Sequence, residues 1–397
     1  MGAITMAVAI VLVVLAICFA ICGALLSLLY LRRALTKNTT FKYQVRDPDG
    51  IEILEPITLG GVKQWIHIRG RSKENPLLLF LHGGPGLPHI GWFDEIQRPW
   101  EDYFTVVQWD QRQQGKSYAS IASLGVTISN QQMLSDTSEL IAYLRQRFNQ
   151  KKIFLIAKSY GTYLAMHMVK RHPNWLHAYI ADGQIINVKD YIENEYQHLL
   201  AYARDKKKTA LIEKLESIAP RINSKAPWDS FVANEYMIRE ELEKIGKGLS
   251  PRFSRIRQFQ RMIAINQWCS PLLSFKDHWH RITGDKDAAS HPEPHPFKQQ
   301  FLAIDIPQEL GSTFDVPIFV FTGRHDWHVS CDDQERWFQS LNTPHKQQIW
   351  FEATTHMPYL EEPGKYLVTL VNNVLPLSQR ENNLSHSKHA EQLRTGN

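Results

Sequence analysis

The sequence predicts an α/β fold: a mostly parallel central sheet covered by helices, with a helical cap insertion and a preceding N-terminal transmembrane helix. Three observations lead to this prediction. Short β-branched or apolar runs alternate with amphipathic stretches, which is typical of parallel sheets with helices on both faces. The alternation stops near Gly183 and resumes near Val316, and the first 31 residues contain no charged side chain.

The N-terminal apolar run, Ala3 to Leu31, is long enough to cross a bilayer, because a spanning helix needs about 20 apolar residues. A cleavable signal peptide is the alternative, but no basic residue precedes the run and no convincing cleavage site follows it. We therefore predict an uncleaved single-pass anchor over residues 1–35. Arg32, Arg33 and Lys37 follow the run directly, so the positive-inside rule predicts that the rest of the chain faces the cytoplasm.

The rest of the chain has the composition of a globular domain with a substantial core. Of all 397 residues, 43% are hydrophobic and 21% are charged, and the formal net charge is only +5. The basic residues are spread out, with one short cluster at Lys206 to Lys208, so we expect no nucleic-acid partner. Only Cys269 and Cys331 lie outside the apolar run, too few for a disulfide framework. His325 and His328 lack further partners at metal-ligand spacing, and we expect neither a metal nor a cofactor.

The strands and helices of the core follow from the apolar runs and their spacing. Gly60-Gly61 between the first two runs is a hairpin signal, so the sheet should begin antiparallel. The predicted strands are Ile51 to Leu59, Val62 to Ile68, Leu77 to Leu81, Phe104 to Trp109, Ile153 to Ala157, Ala178 to Ala181, Ile318 to Thr322 and Gln348 to Phe351. The predicted helices are Gln131 to Gln146, Gly161 to Arg171, Asp333 to Leu341 and Gly364 to Asn373.

The segment between the two halves of this alternation is predicted to be helical. It ends in an irregular proline-rich stretch, His291 to Pro296, and it is most simply a cap over the carboxyl ends of the strands, where ligands bind in open α/β sheets. We therefore predict a core of residues 40–183 and 316–376, a cap of residues 184–315 and a disordered tail of residues 377–397. The cap helices are predicted at Val188 to Ala203, Lys208 to Ser217, Phe231 to Ile245 and Arg257 to Gln267.

One serine lies where a strand is predicted to turn directly into a helix. The apolar run that ends at Ala157 leads into Lys158 and Ser159, and the helical stretch begins at Gly161. Such a turn pushes the serine Oγ out of the sheet, and the helix N-terminus supplies N–H groups where an oxyanion would form. Small residues two positions before and after the serine allow the strand and the helix to approach closely. Ser159 is therefore the candidate nucleophile.

A serine nucleophile needs a base and an acid that orients the base, and both follow in the order that serine hydrolases of this topology use. Asp326 lies just past an apolar strand, and His356 lies just past the next one. Catalytic side chains of parallel sheets collect in such loops. An oxyanion hole also needs N–H groups. The loop with Gly83 and Gly84 after the third strand and the residue after the nucleophile, Tyr160, are placed to supply them.

Five stretches of the sequence resemble the prolyl aminopeptidase (proline iminopeptidase) branch of the α/β-hydrolase family. They read LLLFLHGGPG, FTVVQWDQRQQGKS, IAKSYGTYLA, FTGRHDWHVS and THMPYLEEP, and the resemblance covers roughly residues 50–182 and 316–375. The HGGPG and DQR elements are fairly specific for that branch. Three positions depart from its pattern. Ala157 replaces a glycine, Tyr160 stands where Trp is frequent, and Gln113 replaces the glycine that usually follows DQR, a change with the potential to reshape that loop.

The resemblance implies an α/β-hydrolase fold and an aminopeptidase whose cap supplies carboxylates for the free amino end of the substrate. Three cap glutamates are available for this role, Glu193, Glu195 and Glu235, and no motif selects among them. The implied triad is Ser159, Asp326 and His356, and the implied oxyanion hole is lined by Gly83, Gly84 and Tyr160.

We therefore predict a membrane-anchored serine hydrolase that cleaves an amide or ester through an acyl-enzyme, with an aminopeptidase of the prolyl aminopeptidase type favoured. Two alternatives stay open: a carboxylesterase or lipid-ester hydrolase, and a catalytically silent α/β-hydrolase that serves as a binding module. The predicted partners are a small peptide, amide or ester and the membrane, and the oligomeric state is not indicated. A phosphate-binding loop ending at Lys116-Ser117 is rejected, because Asp110 occupies the position of its first glycine.

Overall fold

A central sheet of eight strands organises the protein. A computed structural model describes residues 2–42, 45–84, 86–118, 128–222, 237–238, 240–242, 244–245, 256–278 and 296–378. The strands are β1 (Ile51–Leu59), β2 (Val62–Gly70), β3 (Leu77–Leu81), β4 (Thr105–Trp109), β5 (Ile153–Lys158), β6 (Leu176–Asp182), β7 (Ile318–Gly323) and β8 (Lys346–Phe351). Their order in the sheet is β1-β2-β4-β3-β5-β6-β7-β8. The pairs β1–β2 and β2–β4 are antiparallel, and the remaining pairs are parallel.

The predicted strands are confirmed, and so is the antiparallel start of the sheet. No predicted strand boundary differs by more than two residues from the observed one. Gly60 and Gly61 join β1 to β2 with φ values of 51° and 77°, which is the left-handed conformation that a two-residue hairpin turn requires. The mostly parallel order brings the carboxyl ends of β3, β5, β6, β7 and β8 to one edge of the sheet.

Helices occupy the connections between the strands. The predicted helices of the core are confirmed, and the last of them ends as a π-helical turn, Leu370–Val374, after its α-helical part. Short 3₁₀ turns lie at Arg98–Trp100, Gly115–Ser117 and Pro173–Trp175. The core helices are α2 (Asp94–Gln97), α3 (Asn130–Arg147), α4 (Tyr160–Arg171), α10 (Cys331–Ser340), α11 (Pro358–Glu361) and α12 (Pro363–Thr369), and α1 (Gly2–Lys42) precedes the sheet.

The sheet has a separate apolar layer on each face. Along β3, Leu77 and Leu79 belong to one buried cluster, whereas Leu78 and Phe80 belong to the other. Residues of α3 and α4 complete the first cluster, and Tyr366 of α12 helps to complete the second. A strand buried on both sides must be apolar at every position, which explains why the inner strands appear in the sequence as continuous apolar runs.

Much of the described chain between β6 and β7 is helical. The predicted helix Phe231 to Ile245 lies mainly outside the described residues, as do the proline-rich stretch His291 to Pro296 (except Pro296) and most of the tail 377–397. The described helices of this segment are α5 (Val188–Asp205), α6 (Thr209–Ile222), α7 (Ile256–Cys269), α8 (Pro296–Leu302) and α9 (Ile306–Leu310).

Helix α1 is long and apolar, and it continues beyond the predicted anchor as far as Lys42. Its part from Met6 to Leu35 is long and apolar enough to cross a membrane, and no part of that span is buried in the protein. A signal sequence at an N-terminus has the same properties. The helix is therefore a candidate transmembrane segment by length and composition.

Candidate active site

Ser159 lies at the sharp bend between β5 and α4. Its φ of 50° is in the left-handed region that non-glycine residues seldom adopt. Two hydrogen bonds hold the bend: Ser159 N–H donates to Asp182 O over 3.1 Å, and Thr162 N–H donates to Ser159 O over 2.8 Å. Backbone strain of this kind costs about 1–3 kcal/mol and clusters at active sites, where the surrounding structure enforces it. The predicted nucleophile thus occupies a strained strand-to-helix turn.

Two glycines leave the space that this bend needs. A Cβ on Gly161 would lie 2.3 Å from the carbonyl oxygen of Leu81, so a glycine is required for α4 to approach β3. A Cβ on Gly83 would lie 2.9 Å from Ser159 Cβ. The backbone of the loop after β3 therefore passes directly against the serine, where a donor to an oxyanion is needed.

Asp326 and His356 form a buried hydrogen-bonded pair. Asp326 Oδ2 and His356 Nδ1 are 2.9 Å apart, and the two residues are 1% and 2% exposed. The other oxygen, Oδ1, accepts N–H groups of His328 and Val329 at 3.0 and 2.9 Å. Burial raises the pKa of Asp326 to about 6, although Lys158 and these N–H donors oppose the rise. Because Nδ1 faces the carboxylate, Nε2 is the ring nitrogen left to accept a proton.

Lys158, the last residue of β5, links the serine bend to His356. Its Nζ donates to the backbone carbonyl of His356 and to Asp182 Oδ1, the latter over 2.7 Å. A Cβ on Gly183 would lie 2.9 Å from both Lys158 Nζ and His356 Cε1. The residue that precedes Ser159 and the histidine loop are therefore in direct contact, and the structure gathers the three predicted triad residues at the same edge of the sheet.

The loop after β3 is held in place by a neutral histidine. His82 Nδ1–H donates to Gly83 O over 2.9 Å, and His82 Nε2 accepts the N–H of Gln111 at 3.3 Å. Burial lowers the pKa of His82 to about 4, so the ring is uncharged at neutral pH and can serve as one donor and one acceptor. The next residue, Gly84, has a φ of 118°, and a Cβ there would lie 2.3 Å from the nitrogen of Gly86. Both predicted oxyanion glycines are thus structurally required.

The DQR residues tie the neighbouring loop to the core. The Asp110 carboxylate accepts N–H groups of Ile90 at 3.2 Å and Lys116 at 2.8 Å, and burial raises its pKa to about 7 against the effect of these donors. Arg112 makes two hydrogen bonds with the buried carboxylate of Asp136, at 2.8 and 2.9 Å. Asp110 therefore fixes this loop to the segment around Ile90, and Arg112 fixes it to α3.

The departures from the family pattern are accommodated locally. Gln113 has a φ of 61°, so the loop keeps the left-handed backbone that a glycine would adopt, at a cost of roughly 1 kcal/mol. Ala157 is completely buried within β5. Tyr160 supplies the first N–H of α4, and its buried side chain donates a hydrogen bond from its hydroxyl to Asn130 Oδ1 over 3.0 Å.

One of the three candidate glutamates, Glu195, lies next to His328, which in turn contacts His356. Glu195 on α5 is 1% exposed, and its Oε1 lies 3.3 Å from His328 Nδ1. The His328 ring contacts the His356 ring edge-on, with centroids 4.5 Å apart. Glu193 is exposed on the same helix, and Glu235 lies outside the described residues. Glu195 is thus the candidate with a described position beside the site.

Sequence reasoning missed Lys158, Asp182 and the role of His328. The first two had a signal: each is a charged residue at the end of an otherwise apolar buried strand, and the parallel pairing of β5 with β6 places them opposite each other. His328 gave no comparable signal, because its contacts with Glu195 and His356 depend on how α5 packs against the loop after β7.

The part of the chain that the structure describes holds no group of three His, Cys, Asp or Glu side chains arranged to bind an ion. His325 is exposed, whereas the ring of His328 contacts the ring of His356. Cys269 and Cys331 are both free thiols.

Comparisons with known proteins identify the family and the fold. The family model for serine aminopeptidase, S33, matches residues 72–363. The probable aminopeptidase YbaC of Bacillus subtilis (strain 168) is 30% identical over 329 residues, which is 82% of this chain and 97% of that protein. The crystal structure of proline iminopeptidase from Mycobacterium smegmatis superposes with a TM-score of 0.56 at 16% identity, covering 84% of this chain and 100% of that one. A proline iminopeptidase-related protein from Thermus thermophilus gives 0.56 at 16% identity, with coverages of 82% and 99%.

These comparisons confirm the predicted α/β-hydrolase fold and the predicted resemblance to prolyl aminopeptidases. At 16% identity the two crystal structures establish the fold alone. The catalytic assignment of Ser159, Asp326 and His356, with Gly83, Gly84 and Tyr160 as the oxyanion hole, stays a prediction that rests on the distances described above.

Proposed function

The chain belongs to the serine aminopeptidase family S33, and from this membership we propose that it is a serine hydrolase that cleaves amides through an acyl-enzyme formed on Ser159. The observation that carries the proposal is the pairing of a serine on a strained turn with a buried Asp326–His356 hydrogen bond of 2.9 Å at the same sheet edge. This is the combination of nucleophile, base and orienting acid that acyl transfer requires.

Each step of the proposed reaction uses a group with a suitable position. His356 Nε2 takes the proton of Ser159 Oγ while Oγ bonds to the substrate carbonyl carbon, and the oxyanion is stabilised by N–H groups of the Gly83–Gly84 loop and Tyr160. His356 then gives that proton to the leaving nitrogen as the C–N bond breaks. A water, deprotonated by His356, attacks the acyl-enzyme, and the acid and the free serine result. Asp326 stabilises the imidazolium in both halves of the reaction.

We propose an aminopeptidase-type substrate, a short peptide or aminoacyl amide with a free amino end. Glu195 supports this choice, because it is a buried carboxylate, and His328 contacts both Glu195 and His356. An ammonium group that approaches Ser159 from beneath the cap would be stabilised by such a carboxylate. Glu193, exposed on the same helix, offers a matched control.

Fluorophosphonate labelling tests the nucleophile first. We expect labelling of the full chain at Ser159, loss of labelling in Ser159→Ala and His356→Ala, and no change in Ser217→Ala, which alters an exposed cap serine. Absence of labelling in a folded protein would contradict the proposal and favour the catalytically silent binding module.

Substrate choice is tested by comparing prolyl and alanyl anilides with their N-acetylated forms and with short p-nitrophenyl esters. We expect kcat/KM to be higher for the substrates with a free amino end than for their N-acetylated forms. Glu195→Gln should lower this ratio of kcat/KM values at least tenfold, whereas Glu193→Gln should leave the ratio unchanged. Faster turnover of esters with no preference for a free amino end would instead support the alternative of a carboxylesterase or lipid-ester hydrolase.

We also propose that α1 is retained as a membrane anchor. Arg33, near the end of its apolar part, donates from Nη2 to Leu273 O over 2.6 Å and from Nη1 to Trp268 O over 3.4 Å, so the helix contacts the C-terminal end of α7. Phe275 lies nearby and is 68% exposed, as expected for a side chain at a bilayer surface. This contact is the observation that favours a lipid-derived ester as the second candidate substrate.

Membrane extraction tests the anchor. We expect the full chain to stay in the pellet after alkaline carbonate washing, and we expect the basic residues after the apolar run to keep the large C-terminal part on the cytoplasmic side. Protease treatment of sealed inside-out and right-side-out vesicles would measure the orientation. Release of the full chain by carbonate would contradict the anchor without affecting the proposed chemistry.

A further inference from the structure

A lysine is buried directly before the candidate nucleophile. Lys158 is 2% exposed, and its ammonium contacts the fully buried carboxylate of Asp182, with Nζ and Oδ1 2.7 Å apart. Lys158 and Asp182 are opposite each other in the parallel pairing of β5 and β6. Replacing such a pair by apolar side chains is often neutral or stabilising, because desolvation of two charges is costly. Stability alone therefore does not account for this pair, and its contacts with the catalytic residues become informative.

Two buried carboxylates lie at this sheet edge, and Lys158 acts on both. Asp182 and Asp326 are each at most 1% exposed, and burial raises the pKa of both groups. The negative charge of Asp326 further raises the pKa of Asp182, whereas the Lys158 ammonium opposes the rise at both carboxylates. One positive charge thus makes it possible for two neighbouring buried carboxylates to be ionised together.

Lys158 also fixes the position of the base. Its Nζ donates to the backbone carbonyl of His356, so the same ammonium binds Asp182 and the histidine loop. The ammonium and the His356 ring meet at Gly183, where a Cβ would lie 2.9 Å from each. The His356 ring and the Lys158 ammonium therefore both lie close to the same glycine.

We propose that Lys158 and Asp182 are positioning residues for catalysis: Lys158 holds the His356 loop against β5, and Asp182 holds Lys158 in place. This inference rests on the proposed function, because it assigns Asp326 and His356 to the reaction. Neither residue of the pair contacts the substrate in this arrangement. Among the described residues, the other titratable side chains near this cluster include Tyr179, Tyr359, Tyr366, Cys331, His328 and Glu195.

The two members of the pair are expected to shift the pH profile in opposite directions. Lys158→Met leaves Asp182 as an uncompensated buried acid beside Asp326, so the acidic limb of kcat/KM should move to higher pH by about one unit. We expect kcat to fall roughly 10- to 100-fold at neutral pH, with little change in KM. Asp182→Asn keeps a side-chain acceptor for Lys158 but removes the negative charge, so the acidic limb should move to lower pH.

The double variant Lys158→Met with Asp182→Asn should recover part of the lost activity and shift the limb back towards that of the parent, because neither charge is left unpaired. Lys170→Met is the matched control, since Lys170 is an exposed lysine whose ammonium donates to Thr313 O over 3.1 Å. It should change neither the pH profile nor kcat.

The measurements are pH profiles of kcat/KM, fluorophosphonate labelling rates and thermal unfolding of the full chain in detergent. If Lys158→Met loses stability but keeps the parent pH profile and kcat, the pair is only structural and the proposal is wrong. If Lys158→Met does not fold, Asp182→Asn decides: an unchanged acidic limb there also overturns the proposal. A parent protein that is not labelled at Ser159 would instead overturn the proposed function.

Discussion

Replacing Gly183 with alanine gives a sharp test of the geometry around His356. Gly183 follows β6 with a φ of 62°, and a Cβ there would lie 2.9 Å from His356 Cε1 and from Lys158 Nζ. Ordinary contacts of a Cβ begin near 3.4 Å, so the ring and the ammonium must each retreat by about 0.5 Å. Because the ring is one of the groups in contact, its retreat moves the proposed base.

The expected magnitudes separate backbone strain from displacement of the base. A left-handed alanine costs about 1 kcal/mol of stability wherever it occurs. Displacing a catalytic group by 1 Å lowers turnover by about 100-fold, so a shift of half that size should lower kcat/KM by roughly 10-fold. Gly61→Ala provides the control, because Gly61 has a φ of 77° and nothing lies within 4 Å of the position of its Cβ.

The assay compares both alanine variants by urea unfolding and by steady-state kinetics on an aminoacyl anilide. We expect each to lose about 1 kcal/mol of unfolding free energy from the left-handed φ, and only Gly183→Ala to lose activity. If Gly183→Ala matches Gly61→Ala in kcat/KM, then His356 does not need the position that the structure gives it, and our reasoning about the base is refuted.

Three further predictions use other features of the site. The acidic limb of the pH profile of kcat/KM should lie near pH 6, with activity rising as pH increases. The reason is that burial raises the pKa of Asp326 to about 6, and the ionised form of Asp326 holds His356. An acidic limb below pH 4 would contradict this prediction. Gln113→Gly should raise the unfolding free energy by up to roughly 1 kcal/mol, measured by urea denaturation, because it relieves a φ of 61°. Arg112→Met should destabilise the fold by about 3–5 kcal/mol, because it leaves the buried carboxylate of Asp136 without its counter-charge. Adding Asp136→Asn should restore part of the lost unfolding free energy in the same denaturation assay.

The fold could be predicted from the sequence because its signals are local. Strands buried on both faces must be apolar throughout, so β3 and β5 stand out as uninterrupted runs, and Gly60-Gly61 marks the turn between β1 and β2. The candidate nucleophile was equally visible, because a serine directly between an apolar run and a helical stretch has few other structural interpretations.

The features that could not be predicted depend on contacts between distant segments. Nothing in the sequence around Glu195 distinguishes it from Glu193; the difference is that the helix turns one towards His328 and the other towards solvent. The conformation of Gln113 was equally hidden, since the substitution of a glycine suggests a reshaped loop, whereas the hydrogen bonds of Asp110 and Arg112 keep the loop in its left-handed form.

The register of the sheet explains why the charges of the site fall where they do. β5 ends in Lys158 and β6 ends in Asp182, and the parallel pairing of Ala157 with Ala181 makes these two charged residues neighbours. β7 pairs on the other side of β6, and the loop that follows it carries Asp326. The Lys158 ammonium therefore contacts the Asp182 carboxylate directly and interacts electrostatically with the Asp326 carboxylate. Asp326 in turn is hydrogen-bonded to His356. A shift of one residue between β5 and β6 would separate Lys158 from Asp182 and leave two buried acids without a counter-charge, so the electrostatics of the site also favour the observed register.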